Sequence, residues 1–195
     1  TPQELAPLNI PYVCCSYDNQ YGTLPPDSYA SVSIADEEEA CRAVTELYRC
    51  GHRRIAALVS GTEDRSISQL RYQGYVRALA AHGLPLEQEL VIEAGSFDIR
   101  QSYLAMQRRL LAGAQFTALF AISDNMAIGA MRALREAGRR IPEDCSVIAI
   151  DGLTVSDYIN PTLTTLCQPM EHMGRRSVEI LLDMVEHRGG PIRET

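Results

Sequence analysis

Short apolar segments alternate along this chain with longer segments in which apolar residues recur at helical spacing. Six short segments, most of them without polar alternation, are predicted to be strands: residues 12–16, 31–34, 55–59, 90–92, 118–122 and 146–150. Five amphipathic segments are predicted to be helices: residues 37–50, 70–82, 99–111, 125–137 and 170–185. This order indicates an α/β fold, a parallel sheet with helices on both faces.

Residues that favour helix ends and turns separate these segments. Asp36 is placed to cap the first helix. Glycines follow four of the helices: Gly51, Gly83, Gly113 and Gly138. The segment 17–29, with its proline and glycine residues, and the polar segment 61–69 are predicted to be loops.

The composition is typical of a globular protein of one or two domains, with 195 residues of which 46% are hydrophobic. No apolar run approaches the roughly 18 residues of a membrane span, and no leader peptide is visible at the start. The six cysteines form no C-x-x-C pair and are expected to be free, buried thiols. We therefore expect a cytoplasmic protein that does not enter the membrane.

The chain is acidic, with a formal net charge of −7, and its positive charge comes entirely from arginine. Affinity for a nucleic-acid duplex depends on cations that neutralise phosphates. These residues are therefore expected to bind DNA poorly by themselves, and any DNA contact is expected from a segment outside this sequence.

Signatures of the common catalytic and metal sites are absent from the sequence. A phosphate-binding loop requires lysine, and neither G-x-G-x-x-G before a helix nor G-x-S-x-G occurs. The four histidines have no metal-ligand spacing: His52, His82, His172 and His187. We therefore predict no cofactor, no metal and no catalytic residue. A sugar hydrolase with paired carboxylates stays open as an alternative, because such a pair is recognised only by its geometry.

Polar residues follow three of the predicted strands. Residues 55–59 lead to Arg71, residues 118–122 to Ser123 and Asp124, and residues 146–150 to Asp151. Ligands of open α/β sheets bind outside the carboxyl ends of the strands, and Phe97 follows a fourth strand there. Arginine can span neighbouring hydroxyl groups, aspartate accepts from them, and an aromatic ring packs on the C–H face of a sugar. The pattern therefore predicts a polyhydroxylated ligand.

Three of these residues also have a purely structural interpretation. Arg71 is equally consistent with a solvated arginine in the first turn of a helix, and Phe97 with a core residue. Asp124 is placed to cap the helix that begins at Asn125. The position of Asp151 at a strand end, before a glycine, is the most suggestive of function.

Six motifs resemble those of LacI/GalR transcriptional regulators and occur in the same order over nearly the whole chain. They are N-I-P at 9–11, G-H-R-R-I-A at 51–56, R-Y-Q-G-Y at 71–75, F-T-A-L-F-A-I-S-D-N-M-A-I-G-A at 116–130, I-P-E-D-C-S-V-I-A-I-D at 141–151 and L-T-T-L-C-Q-P at 163–169. The resemblance implies a two-lobed, periplasmic-binding-protein-like core behind a helix-turn-helix head. Residues 1–35 would belong to a partial first lobe, 36–166 to a complete second lobe, and 167–195 to the hinge return and a first-lobe helix.

The resemblance also assigns roles to individual residues. Arg71 matches an effector-gripping arginine, Phe97 a stacking aromatic, and Asp151 a hydroxyl-binding aspartate. The full ligand-binding set is Ser16, Arg71, Phe97, Ser123, Asp124 and Asp151, with Gln168 at the hinge. The sequence departs from the family at Gly152, where a second aspartate is common, and at Ala149, where glycine is common.

The function implied by the resemblance is that of a sensing and dimerisation core, which couples a small-molecule effector, a sugar, to the operator affinity of a repressor. A periplasmic sugar-binding protein of the same fold is the alternative. A homodimer is expected to form through two surfaces: the outer face of the helix at 125–137, with Ile128, Met131 and Leu134, and the segment 155–159.

Overall fold

Strands that run in the same direction form two separate sheets in the computed structural model, which describes residues 10–16, 29–61, 67–186 and 188–195. The strands are β1 (Val13–Cys15), β2 (Ala30–Val32), β3 (Ile55–Val59), β4 (Val91–Glu93), β5 (Ala118–Ala121), β6 (Ser146–Asp151), β7 (Thr164–Cys167) and β8 (Arg193–Glu194). The helices are α1 (Asp36–Arg49), α2 (Ile67–Ala81), α3 (Ile99–Leu111), α4 (Asp124–Glu136) and α5 (Met170–Val185). Two short 3₁₀ helices span Gln88–Leu90 and Thr154–Asp157.

The described residues divide into two compact units. The larger unit consists of the described parts of Asp36–Asp64 and Ser68–Gln168. The smaller unit consists of the described parts of Thr1–Ala35, Arg65–Ile67 and Pro169–Thr195. Each unit is built around one of the two sheets.

The larger unit has a five-stranded sheet in the order β4-β3-β5-β6-β7, and every neighbouring pair is parallel. Every residue of β3 and of β5 is buried. A strand whose side chains are buried on both sides must be covered on both faces, which explains why these two strands are continuous apolar runs. The predicted α/β fold with a parallel sheet is confirmed.

Two glycines let the helices of the larger unit approach each other closely. A Cβ atom at Gly74 of α2 would lie 2.2 Å from the carbonyl oxygen of Glu37 in α1. A Cβ atom at Gly129 of α4 would lie 2.2 Å from the carbonyl oxygen of Ile99 in α3. The helix pairs α1–α2 and α3–α4 can therefore adopt these distances only because neither position carries a side chain.

The smaller unit has a three-stranded parallel sheet in the order β1-β2-β8, against which α5 packs. Its buried core consists of Ala30, Val32, Met173 and Ile180. Arg176 of α5 forms ion pairs with Glu194 of β8 and with Glu179. The pair with Glu194 joins the last strand to the helix. The hydrogen bonds to Glu194 and Glu179 raise the pKa of Arg176 above its ordinary value.

The structure corrects several predictions about elements. β7 and β8 were not expected as strands, because β7 is a half-polar edge strand and β8 has two residues. Residues 67–69 belong to α2 rather than to a loop, and the rest of that segment after residue 61 lies outside the described residues. The predicted loop 17–29 also lies outside them, apart from Tyr29.

The expectation of buried thiols is wrong for most of the six cysteines. Cys145 alone is buried, which raises the pKa of its thiol to about 11, whereas Cys15, Cys50 and Cys167 are exposed. No helix among the described residues is long and apolar enough to cross a membrane.

Candidate functional site

Arg71 occupies the centre of a buried ionic cluster at the carboxyl end of the large sheet. Its side chain is only 2% exposed, so its interpretation as a solvated arginine is wrong. Nε donates to Oδ1 of Asp36 at 2.7 Å, and Nη1 donates to Oδ1 of Asp151 at 3.1 Å and to the carbonyl oxygen of Ile122. The guanidinium is therefore fixed by two carboxylates and the end of β5.

One nitrogen of this guanidinium is left over. Arg71 Nη2 finds no hydrogen-bond acceptor among the described residues, although Nε and Nη1 are both engaged. A guanidinium presents five N–H donors in a fixed plane, and Nη2 is not among the described side-chain atoms that are fully buried without a partner. The orientation set by Asp36 and Asp151 thus leaves Nη2 as the donor that a bound ligand would use.

Asp151, the last residue of β6, is the partly accessible member of the cluster, with 21% of its side chain exposed. Oδ1 also accepts a hydrogen bond from Nε2 of Gln168 at 2.8 Å, and Oδ2 accepts one from the backbone N–H of Asp124 at 3.3 Å. Burial raises the pKa of Asp151 above its ordinary value of 3.8, although the charge of Arg71 acts in the opposite direction. The structure brings Arg71 and Asp151 together, as their strand-end positions suggested.

We expect the raised pKa of Asp151 to make affinity for the predicted polyhydroxylated ligand depend on pH. The folded protein favours the neutral carboxyl of Asp151. This group therefore contributes stability that is present below its ordinary pKa and is lost as the pH rises through its pKa in the folded state. A sugar hydroxyl donates more strongly to the ionised form, and affinity should therefore rise over the same interval. Calorimetric titrations between about pH 4 and about pH 7 measure this. Asp151→Asn should abolish the dependence; a flat wild-type profile would contradict it.

The helix cap predicted at Asp124 is formed by Ser123 instead. The N-cap of α4 is Ser123, whose Oγ accepts from the backbone N–H of Met126 at 3.3 Å, so the capping role assigned to Asp124 is wrong. Asp124 is the first helical residue and is fully buried. An N-cap residue requires an extended backbone, and Ser123 has that conformation whereas Asp124 is already helical.

Phe97 lies in the loop between β4 and α3 with 38% of its surface exposed. Its interpretation as a core residue is therefore wrong. Asp98, directly after it, caps α3 by accepting from the backbone N–H of Gln101 at 2.9 Å, which fixes the loop end. The exposed ring stays a candidate for stacking on a ligand.

Phe97→Ala is expected to weaken sugar binding while leaving the protein nearly as stable as before. An aromatic contact contributes about 0.5–1.5 kcal/mol, which corresponds to at most about tenfold in affinity. The matched control is Phe120→Ala in β5, whose ring is fully buried and whose loss should cost about 3–5 kcal/mol of stability. Denaturation midpoints and calorimetry on both variants separate the effects. A Phe97 variant as unstable as the Phe120 variant would refute the surface role.

Ser16 belongs to the smaller unit, where it follows β1. Its backbone N–H donates to the carbonyl oxygen of Val32 at 2.8 Å, and its φ of 56° lies in the left-handed region that non-glycine residues rarely adopt. Backbone strain of this kind is concentrated at ligand sites and switches. Its ligand-binding role stays a prediction.

Sequence reasoning missed two members of the cluster. Asp36 was expected to act only as a helix cap, yet it is 3% exposed and pairs with Arg71. Gln168 was assigned to the hinge, and its amide also holds Asp151. Nothing local in the sequence links Asp36 to an arginine 35 residues later. Gln168 follows β7, whose sequence pattern did not indicate a strand. No group of three metal-ligating side chains occurs among the described residues.

The sequence matches a known protein family over most of its length. The sequence profile described as a periplasmic binding protein-like domain matches residues 44–195. The chain belongs to this domain family. The expected resemblance to LacI/GalR regulators is confirmed as well, since the similar proteins described below are regulators of that type.

Two characterised relatives illustrate the similarity. The HTH-type transcriptional regulator CelR of Thermobifida fusca is 35% identical over 184 residues, which are 94% of this chain and 53% of CelR. The probable HTH-type transcriptional repressor ExuR of Bacillus subtilis is 34% identical over 177 residues, 91% of this chain and 51% of ExuR. The chain thus spans about half the length of the curated relatives it matches.

Solved structures give the same result for the fold. The transcriptional regulator CelR in complex with cellobiose superimposes with a TM-score of 0.89 at 34% identity, over 99% of this chain and 58% of that one. A regulator of the LacI family from Sanguibacter keddieii superimposes with a TM-score of 0.85 at 30% identity, over 94% and 69%. The periplasmic-binding-protein-like domain described here therefore has the fold of LacI-family effector-binding domains.

Proposed function

We propose that this chain is the sugar-sensing core of a transcriptional repressor, in which effector binding alters the affinity for operator DNA. The observation that carries the proposal is the buried guanidinium of Arg71, which two carboxylates orient so that one nitrogen remains for a ligand. The cellobiose complex of CelR supports a sugar as the class of ligand. The names of the relatives favour a regulator over a transport protein or a hydrolase.

The charges around the site favour a neutral sugar over an acidic one. The single guanidinium of Arg71 pairs with two carboxylates, those of Asp36 and Asp151, and the charge of Asp124 also acts on Asp151, which leaves an excess of negative charge. An anionic ligand would be repelled by this excess, whereas hydroxyl groups donate to a carboxylate without bringing in charge. We therefore expect neutral sugars to bind and uronates to bind poorly.

Calorimetry on the full-length protein tests this proposal. Cellobiose and ribose are titrated as neutral sugars, and glucuronate serves as an acidic control of similar size. A few charge-assisted hydrogen bonds and one stacked ring can supply the roughly 8 kcal/mol of a micromolar ligand. A change in operator affinity on adding the sugar that binds, measured by gel shift, completes the test. Binding of glucuronate in preference to every neutral sugar, or turnover of a sugar, would refute it.

DNA recognition is proposed to reside outside these residues. The net charge of −7 makes the chain a poor partner for phosphates, and the resemblance places a helix-turn-helix head before the core. An effect on transcription also requires access to DNA, which is why we propose the cytoplasm as the location. Domain movement between the lobes, with Gln168 at the hinge, would transmit the signal.

We further propose that the protein forms a homodimer through a groove on the large unit. The groove encloses about 640 Å³ and is lined by Ile128, Met131, Arg132, Arg135, Glu136, Ile159 and Asn160. Arg135 of α4 donates to the carbonyl oxygen of Asn160 at 2.8 Å, so a hydrogen bond joins the two sides of the groove. Leu134 is fully buried and Met131 is only 4% exposed, so Ile128 alone of the three residues expected on the outer face stays partly accessible. Tyr158, which is 83% exposed, extends the apolar surface beside the groove.

Ile159→Asp is expected to turn the dimer into a monomer, because it places a charge in an apolar interface. Sedimentation at micromolar concentration measures the change. Tyr158→Asp repeats the test at a side chain that contributes little to the fold. Leu111→Asp at the end of α3, also 83% exposed, is the matched control and should leave the dimer intact. A dimer indifferent to both substitutions beside the groove would rule this interface out.

A further inference from the structure

The carboxylate of Asp124 is fully buried and accepts hydrogen bonds from three groups of the protein. Oδ2 accepts hydrogen bonds from the backbone N–H of Leu153 and from Oγ of Ser156, both at 2.7 Å. Oδ1 accepts one from Oγ1 of Thr165 at 2.5 Å. With three donors in place and no exposed surface, this carboxylate has a structural task that differs from ligand contact.

The hydroxyl of Thr165 extends this network by one bond. It donates to Asp124 and, at the same time, accepts from the backbone N–H of Gly152 at 3.2 Å. Thr165 lies in β7, beside β6 in the sheet, where Ala149 is its register partner. One hydroxyl therefore connects the start of α4 to the first peptide after Asp151.

Apart from the hydroxyl of Thr165 itself, the donors that Asp124 and Thr165 hold belong to the turn that follows Asp151. That turn runs from Gly152 to the 3₁₀ helix at Thr154–Asp157. Gly152 has a φ of +76°, and a Cβ atom there would lie 2.7 Å from Cα, Cβ and Sγ of Cys167. Because side-chain packing cannot fix the backbone at Gly152, hydrogen bonds from its neighbours have to do so.

We propose that Asp124 and Thr165 are positioning residues, which hold the turn after β6 so that the carboxylate of Asp151 points at the sugar, without touching the sugar themselves. This inference rests on the proposed sugar-sensing function. The backbone N–H of Asp124 adds a direct bond to Oδ2 of Asp151 at 3.3 Å. Asp151 is thus oriented from one side by Arg71 and from the other by the Asp124 network.

Thr165→Val is the decisive variant, since it keeps the shape of the side chain and removes only the hydroxyl. It leaves Oδ1 of Asp124 and the N–H of Gly152 without their partner, and the turn should open more often. Thr165→Ser restores the hydroxyl and should restore wild-type behaviour. Asp124→Asn, which replaces one of the two acceptor oxygens by an NH2 donor, should have the same effect as Thr165→Val or a larger one.

Two measurements on the full-length protein are compared for each variant. Hydrogen–deuterium exchange, followed by mass spectrometry without sugar, reports on the amides of Gly152 and Leu153. Titration with cellobiose, or with ribose if cellobiose does not bind, reports on the affinity. Thr165→Val is expected to speed exchange in this turn and to lower affinity about tenfold.

The matched control is Tyr75→Phe. The hydroxyl of Tyr75 is buried and donates to the carbonyl oxygen of Ile55 at 2.9 Å, at the first residue of β3. Its removal costs a comparable buried hydrogen bond at the opposite end of the sheet. Tyr75→Phe should leave both the exchange in the turn after Asp151 and the sugar affinity unchanged. If the effects of Thr165→Val came from a general loss of stability, Tyr75→Phe would show them too.

The outcomes separate this inference from the proposed function. Faster exchange and weaker binding in Thr165→Val, both reversed in Thr165→Ser and absent in Tyr75→Phe, support it. Wild-type exchange in both Thr165→Val and Asp124→Asn overturns it. A wild-type protein that binds no neutral sugar rejects the proposed function, and the exchange measured without sugar then decides by itself whether Asp124 and Thr165 hold the turn.

Discussion

Arg71→Ala is expected to abolish sugar binding and to destabilise the protein by about 3–5 kcal/mol at the same time. Both effects arise from one feature, since Arg71 is only 2% exposed and is the ion-pair partner of Asp36, which is equally buried. Its removal takes the ion-pair partner away from a buried carboxylate. Calorimetry with sugar measures the loss of binding, and chemical denaturation followed by circular dichroism measures the loss of stability.

Two variants distinguish these consequences. Arg77→Ala lies on the same helix, but Arg77 pairs with Glu37 at the surface, where an ion pair contributes about 0–1 kcal/mol, so stability and binding should hardly change. Asp151→Asn keeps the shape of a partly exposed side chain, and it should weaken binding by at least about tenfold with a smaller loss of stability. Full sugar affinity in both Arg71→Ala and Asp151→Asn would refute the site.

Gly74→Ala is expected to destabilise the protein by about 1–3 kcal/mol, although alanine favours a helix more than glycine does. The new Cβ atom would lie 2.2 Å from the carbonyl oxygen of Glu37 and 2.9 Å from the amide nitrogen of Cys41. These are backbone atoms, so α1 as a whole must move away from α2. Asp36, at the start of α1, would move with it, and sugar affinity should fall as well.

The control for this prediction is Gly174→Ala in α5. A Cβ atom at Gly174 meets nothing within 4 Å, and the substitution should therefore stabilise the helix by up to about 1 kcal/mol. Denaturation midpoints of opposite sign for the two glycines are the expected result. A Gly74 variant that is as stable as the Gly174 variant would show that the two helices can separate without cost.

The sequence predicted the central part of the fold better than its edges. The bounds of β3 were predicted without error, because a continuous apolar run between polar segments is typical of a strand buried on both faces. β7 escaped prediction because an edge strand has one open side and tolerates Thr164 and Thr165 in place of apolar residues. Hydrophobic pattern reports burial, and at the edge of a sheet burial is incomplete.

The candidate site shows the same division between local and long-range information. That Arg71 and Asp151 would meet was predictable, since polar residues after parallel strands gather at one edge of the sheet. The role of Asp124 was not, because its partners Ser156 and Thr165 lie 32 and 41 residues away along the chain. Hydrogen bonds over such separations depend on strand order and register, which no local pattern encodes.

The tight contact between Gly152 and Cys167 restricts how this sequence can change over time. An aspartate in place of Gly152 would need a different backbone path there, since even a methyl group would overlap Cα of Cys167. A single substitution of Gly152 therefore passes through a strained intermediate. We expect a library that varies both positions at once to yield folded variants that a library of Gly152 alone misses.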